Sequence, residues 1–184
     1  MSAPPRRRPR LPTGAPKPPR AKRRDTGGAF ERAVFAALDE CVRAGVFMRW
    51  DHFGPKTKRL SPAQVIVTGK APPDVVATTS EGWSYAAEVK HDQRRVYVAA
   101  DVPKGDRSAR VEAHQAAYLN DVASTAHGTA DLIVCVAGAV AVIPWADVRT
   151  RAWLDRDAVL EFAATDSDPW FCELVRRHMR LEGL

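Results

Sequence analysis

The sequence predicts one α/β domain, a mixed central sheet flanked by helices, behind a basic amino-terminal arm. Three observations carry this. Two stretches with apolar residues at helical spacing, about 29–44 and 109–126, alternate with runs rich in β-branched and aromatic residues that read as strands. At 184 residues, 45% of them hydrophobic, the chain can bury one core and little more. Charge is unevenly placed: Met1 to Arg24 holds nine of the 28 Lys and Arg residues and no acid, whereas the remainder sets 19 bases against 22 acids.

The arm, residues 1–24, also holds seven of the 14 prolines and almost no large apolar side chain, so it is expected to be disordered. Its charge of +9 suits a polyanion, with Arg23 and Arg24 at its inner end as phosphate contacts that release counterions. The bland readings are a solubilising leader, a nuclear-type address or an artefact of translation start. Residues 25–184 are read as a single domain. There Gly27-Gly28 opens a helix from about Ala29 to Ala44, with Phe30, Val34, Leu38 and Cys41 on one side and Gly45 as its stop. Val46 to His52 and Gln64 to Thr68 are candidate strands. Gly54 to Arg59 between them is a basic, turn-rich excursion able to project toward DNA through Lys56, Lys58 and Arg59.

Asp74 to Thr79 is β-branched, Ser80-Glu81-Gly82 is turn material, and Trp83 to Lys90 reads again as strand, which makes a hairpin with a three-residue loop. A strand near Val96 to Ala99 and a loop through Pro103 to Arg107 follow. After a helix from about Ala109 to Ala126, Leu132 to Ala137 and Val140 to Ile143 form two buried strands about a Gly-Ala turn that complete the sheet. Ala146 to Asp155 is mixed, and a helix is expected from Pro169 to Leu181. There are no internal repeats.

The hairpin carries the chemistry. If Thr79 faces Trp83, Asp74 falls opposite Glu88, with Cβ atoms roughly 5 Å apart. Facing carboxylates repel unless something neutralises them, and a divalent cation with oxygen ligands is the natural candidate. Lys90 leaves the same face as Glu88, roughly 6.7 Å further along the strand. An ammonium beside a metal orients water and offsets charge developing on a phosphate, the combination a metal-dependent nuclease needs. The bland reading is an exposed hairpin with an ordinary Asp, Glu and Lys. Against it, Ser84 and Ala86 keep that face open while Trp83, Tyr85, Ala87 and Val89 make the other face bulky; a one-residue slip in register would undo the arrangement.

Two further residues join as candidates. Glu31 lies in the first turn of the opening helix, where the helix dipole alone favours an acid, or where the helix brings it to the metal. Gln115 shares a face with Val111, Tyr118, Leu119 and Val122, so an amide sits in an apolar stripe. A buried amide needs partners, and the carboxylate site would supply them; a satisfied structural glutamine is the alternative. His114 reads as a packing or surface residue, and His91 is adjacent to Lys90 without a firm role.

Cys41, Cys135 and Cys172 are odd in number and lack Cys-x-x-Cys spacing, so neither a disulfide framework nor a zinc site is expected. They read as buried thiols in a reducing cytoplasm. The basic terminus is not followed by an apolar segment, and the longest apolar run, Leu132 to Trp145, is broken by Gly138 and Pro144, so neither a secretory signal nor a membrane span is expected.

The order Gly28-x-x-Glu31, Pro73-Asp74, Glu88-x-Lys90 and His114-Gln115 resembles the PD-(D/E)xK nuclease superfamily. Within it, the His-Gln helix followed by an apolar strand pair is most similar to RecU-like Holliday junction resolvases, the penicillin-binding protein-related factor A family. The resemblance covers about Gly27 to Trp145 and implies a restriction-endonuclease-like sheet. It further implies Mg2+ or Mn2+ held by Asp74, Glu88 and the Val89 carbonyl, with Lys90 as catalytic lysine and Glu31 and Gln115 as accessory positions. A homodimer acting on four-way junctions is also implied, with Phe53 to Ala63 as a short stalk whose Lys56, Lys58 and Arg59 meet phosphates. The region from Arg149 to Leu184 has no clear match.

Taken together, the sequence points to a Mg2+-dependent endonuclease on branched DNA. The alternatives are a restriction-type or repair nuclease on linear DNA and a DNA-binding protein without chemistry.

Overall fold

The computed structural model describes residues 26–53, 56–61, 64–69, 73–99 and 101–163. The arm with Arg23 and Arg24, and the helix expected from Pro169 to Leu181, lie outside them. In chain order the elements are α1 (Thr26–Arg43), β1 (Arg49–His52), β2 (Lys56–Ser61), β3 (Gln64–Gly69), β4 (Val75–Thr78), β5 (Ser84–Asp92), β6 (Arg95–Tyr97), β7 (Ala109–Arg110), α2 (Ala113–Ala123), β8 (Gly128–Val136), β9 (Ala139–Pro144), α3 (Trp145–Val148), β10 (Trp153–Asp155) and α4 (Arg156–Leu160).

Five strands form the central sheet in the order β1-β4-β5-β8-β9, mixed as expected: β5 runs parallel to β8, and every other neighbouring pair is antiparallel. Alternation along the strands divides the core in two. Val75, Ala77, Tyr85, Ala87, Ile133 and Val142 face α1, whose Val34, Leu38 and Cys41 are buried against them. Ala86, Leu132, Val134 and Ile143 face the other way, toward Leu119 of α2 and toward Val148 and Val159. On the α1 side the Tyr85 hydroxyl donates to the buried Asp131 carboxylate at 3.1 Å, and burial together with that acid raises the phenol pKa well above its ordinary value.

The β4–β5 hairpin has the expected register. Val75 pairs with Ala87 and Thr78 with Ser84, and Gly82 takes the positive φ, 82°, that the turn requires. Other elements differ from the sequence reading. The helix expected from Ala109 begins at Ala113, because Ala109–Arg110 is drawn into pairing with β6 and Glu112 then takes the extended N-cap position, with φ −73° and ψ 150°. The excursion containing Lys56, Lys58 and Arg59 is strand β2, whose ladder with β3 forms a two-stranded sheet of its own. The strand near Val96 joins a separate three-stranded sheet, β10-β6-β7. The second hairpin turns on Ala137-Gly138, both at positive φ, one residue earlier than the expected Gly-Ala pair. Cys41 is disulfide-bonded, which corrects the expectation that the cysteines are all free thiols; Cys135 is free and buried.

One carboxylate ties the small sheet to the central one. Asp92, the last residue of β5, accepts from the Arg94 and Arg95 backbone N–H groups through Oδ1, at 2.7 and 3.3 Å, and from Ala109 N–H through Oδ2 at 2.8 Å.

Candidate active site

Asp74 precedes β4 by one residue, opposite Glu88 of β5 when the ladder is extended. The β1 edge holds it in place, since Phe53 N–H donates to the Asp74 carbonyl at 3.2 Å. Its carboxylate caps the strand beyond it: Val89 N–H donates to Oδ2 at 3.0 Å, and Asp74 N–H donates to Glu88 Oε2 at 3.3 Å. Two acids thus stand where β4 ends and β5 continues.

Glu88 is fully buried, with no exposed surface. It occupies the α2 face of β5, between the small Ala86 and the half-buried Lys90. Three donors converge on it. Lys90 Nζ and Gln115 Nε2 both donate to Oε1, the latter at 2.6 Å, while the Asp74 N–H serves Oε2. Burial pushes the Glu88 carboxyl up to about 8; Lys90 opposes the rise and Asp74 adds to it.

Gln115 is the third residue of α2 and is 9% exposed. Its carbonyl accepts from the Glu112 N–H at 2.9 Å while its amide nitrogen donates to Glu88. One side chain therefore satisfies an orphan N–H at the helix start and aims a donor at the buried acid. The amide expected in the apolar stripe finds its partners in the carboxylate site. Gln115→Met, similar in volume, leaves both groups short of a partner. It is expected to lower stability by about 1–3 kcal/mol and any metal affinity by about 10–100-fold, read from urea denaturation and from metal titration; an unchanged midpoint and affinity would refute this role.

Glu31 is placed differently. It lies on α1, which packs on the face opposite Glu88, and its carboxylate is 3.6 Å from His52 Nε2. The helix also starts at Thr26 rather than Ala29, which moves Glu31 out of the first turn. Among the described residues no three His, Cys, Asp or Glu side chains form a group able to hold a metal. The acids at the site are the pair Asp74 and Glu88, and Glu31 joins His52 in place of the expected ligand contact. His91 is on the α1 side as well, 6.1 Å from the Phe30 ring, not on the face of Lys90. Lys56, Lys58 and Arg59 stand in β2, in the hairpin that separates β1 from β4 in the chain.

The donor set suits a hard divalent cation: two carboxylates and, on the edge of β5 left open where β4 ends, the Val89 carbonyl. A strand residue's N–H and C=O point to the same edge, and the Val89 N–H already meets Asp74.

Sequence reasoning missed Glu112 and Asp92, whose backbone and side chain set the site's frame. Asp92-Gln93-Arg94 carries a turn signal, an Asp able to accept N–H groups two and three residues on.

No family model matches the chain, and no curated protein matches it. Among solved structures the chain is similar to Hjc of Archaeoglobus fulgidus, a Holliday junction resolvase from an archaeal hyperthermophile, at 20% identity and a TM-score of 0.41, covering 74% of this chain and 94% of that one. No helix of the described residues is long and apolar enough to cross a membrane.

Proposed function

We propose that the chain is a divalent-metal-dependent endonuclease of PD-(D/E)xK type that hydrolyses phosphodiester bonds in branched DNA, with four-way junctions as substrate. The observation that carries this reading is the convergence of Lys90 and Gln115 on one oxygen of buried Glu88, directly across from Asp74. An incidental surface hairpin has no reason to bury a carboxylate and then supply it with three donors.

Asp74, Glu88 and the Val89 carbonyl would hold Mg2+, or Mn2+ in its place. When bound, the cation lowers the pKa of its water and stabilises charge on the phosphate oxygens. Gln115 fixes the Glu88 carboxylate so that its second oxygen faces Asp74. Lys90 holds its ammonium at the same carboxylate, placed to orient the attacking water and to offset charge on the scissile phosphate. Water oxygen bonds to phosphorus as the phosphorus–oxygen bond to the leaving strand end breaks. The basic arm and Lys56, Lys58 and Arg59 add sequence-independent phosphate contacts. A symmetric homodimer would present two such sites to two strands of a junction. Glu31, expected as an accessory ligand or water-mediated contact, pairs with His52 on the other face of the sheet and has no part in this reading.

The test is cleavage of a labelled four-way junction beside a linear duplex of the same sequence, with Mg2+ and with a chelator. Paired nicks confined to the junction and abolished by chelation support the proposal. Equal cutting of both substrates makes this a general nuclease, cutting in chelator removes the metal, and binding without cutting removes the enzyme. In the same assay, deleting Met1 to Arg24 is expected to weaken binding and flatten its salt dependence.

A further inference from the structure

The small sheet β10-β6-β7 buries Val96 and Leu154 in the core shared with α2. Strand alternation therefore turns Arg95, Tyr97 and Trp153 to its outer face. Trp153 pairs with Tyr97 across the strands, and their rings meet edge to face at 6.5 Å. Tyr97 is buried beneath this layer, and its hydroxyl donates to Asp106 at 3.0 Å. The Arg95 guanidinium lies 5.5 Å from the centre of the Trp153 ring, and among the described residues no carboxylate pairs with it. Trp153 itself is 46% exposed. A residue serving only to cover Tyr97 has no need to leave half an indole in water beside a guanidinium.

The sheet that carries this face is joined to the end of β5, the strand of the candidate active site. Only four residues of chain separate Lys90 from Arg95, and the turn between them is clasped by Asp92, which also holds the start of β7; two residues after β7, α2 begins and delivers Gln115 to Glu88.

We propose that Trp153 and Arg95 form a stacking platform for an unpaired base of single-stranded DNA next to the cutting site, the ring taking the base and the guanidinium the adjoining phosphate. Aromatic rings bind unpaired bases without regard to sequence because every base has a flat face, and Arg adds charge and a stacking plane of its own. A paired duplex offers no free base face, so the platform discriminates strand state and not sequence. Its location beside a cleavage centre rests on the nuclease reading above, and it narrows that reading's substrate to branched DNA with an unpaired nucleotide near the cut.

Binding tests it independently of cleavage. The full chain is titrated, in chelator, with fluorescein-labelled oligothymidylate of about ten nucleotides, with an abasic oligomer of the same length, and with a duplex. The unsubstituted protein is expected to prefer oligothymidylate to the abasic oligomer by about tenfold. Trp153→Ala should remove that preference and leave duplex binding unchanged, and Trp153→Phe should restore most of it. Equal affinity of the unsubstituted protein for the thymidylate and abasic oligomers overturns the proposal, whatever the variants do. Equal loss of duplex and thymidylate binding in Trp153→Ala overturns it as well. Neither outcome depends on metal or on cutting, so failure of the platform and failure of the nuclease reading are told apart.

Discussion

Asp74→Asn is expected to abolish cleavage while leaving DNA binding and folding in place. The carboxamide oxygen still accepts from the Val89 N–H, which the acid meets at 3.0 Å, so the end of β4 keeps its cap. What disappears is one of the two carboxyl groups facing the open edge of β5. Lewis-acid stabilisation of phosphoryl transfer is worth several kcal/mol, so the rate should fall on the order of 10^3-fold with little change in junction affinity. Asp74→Ala should show the same loss of cutting, but with an added stability cost of about 1–3 kcal/mol from the unpaired N–H. Comparing the two by single-turnover cleavage and urea denaturation separates chemistry from folding. Cleavage by Asp74→Asn within tenfold of the parent would remove Asp74 from the metal site.

Glu88→Gln is expected to abolish cleavage as well, yet to stabilise the metal-free protein in alkaline solution. Burial raises the Glu88 carboxyl in the folded chain to about 8, whereas in the unfolded chain it has its ordinary value of 4.5. Between those values the folded state binds more protons than the unfolded state, so the stability Glu88 contributes is full below about 4.5 and is lost as pH rises toward 8. The loss is on the order of a few kcal/mol, since each pKa unit corresponds to about 1.4 kcal/mol. Glutamine cannot ionise and its carbonyl still accepts from Gln115, while its amide nitrogen meets the Asp74 N–H at a fixed cost, so the variant should flatten that slope in chelator. A divalent cation requires the carboxylate. Added Mg2+ should therefore raise the melting temperature of the parent more at pH 8 than at pH 6 and leave Glu88→Gln unmoved. Parallel pH–stability curves for parent and variant would refute the buried-acid account.

Much of this site was legible because it is local. Three loop residues with glycine at the position of positive φ allow only one sensible register, and that register alone sets Asp74 against Glu88. Gln115 was legible for another reason: a lone amide in an apolar stripe needs a partner, and the carboxylates offered one. The less legible parts depend on pairing between distant segments. Ala109 and Arg110 have good helix propensity and become strand only because β6 lies alongside them, which shortened α2 and took Val111 out of its helical face. The outer sheet needs β10, and nothing in Trp153-Leu154-Asp155 announces a partner 56 residues away at Tyr97. Glu31 shows a limit of reading position along a helix without its rotation: Val34 and Leu38 fix which side of α1 meets the sheet, and Glu31 then falls beside His52. Cys41 shows another, because the absence of a spacing motif says nothing about cysteines that meet through tertiary structure.

Asp92 closes the joint between the two sheets with bonds to three backbone N–H groups drawn from both flanking segments. Turning the outer sheet against β5 would have to break these bonds, so Asp92 restrains the angle between the two sheets. The placement of the small sheet relative to β5 is thus set largely as the chain folds and before a ligand arrives, which lowers the ordering cost that binding has to meet.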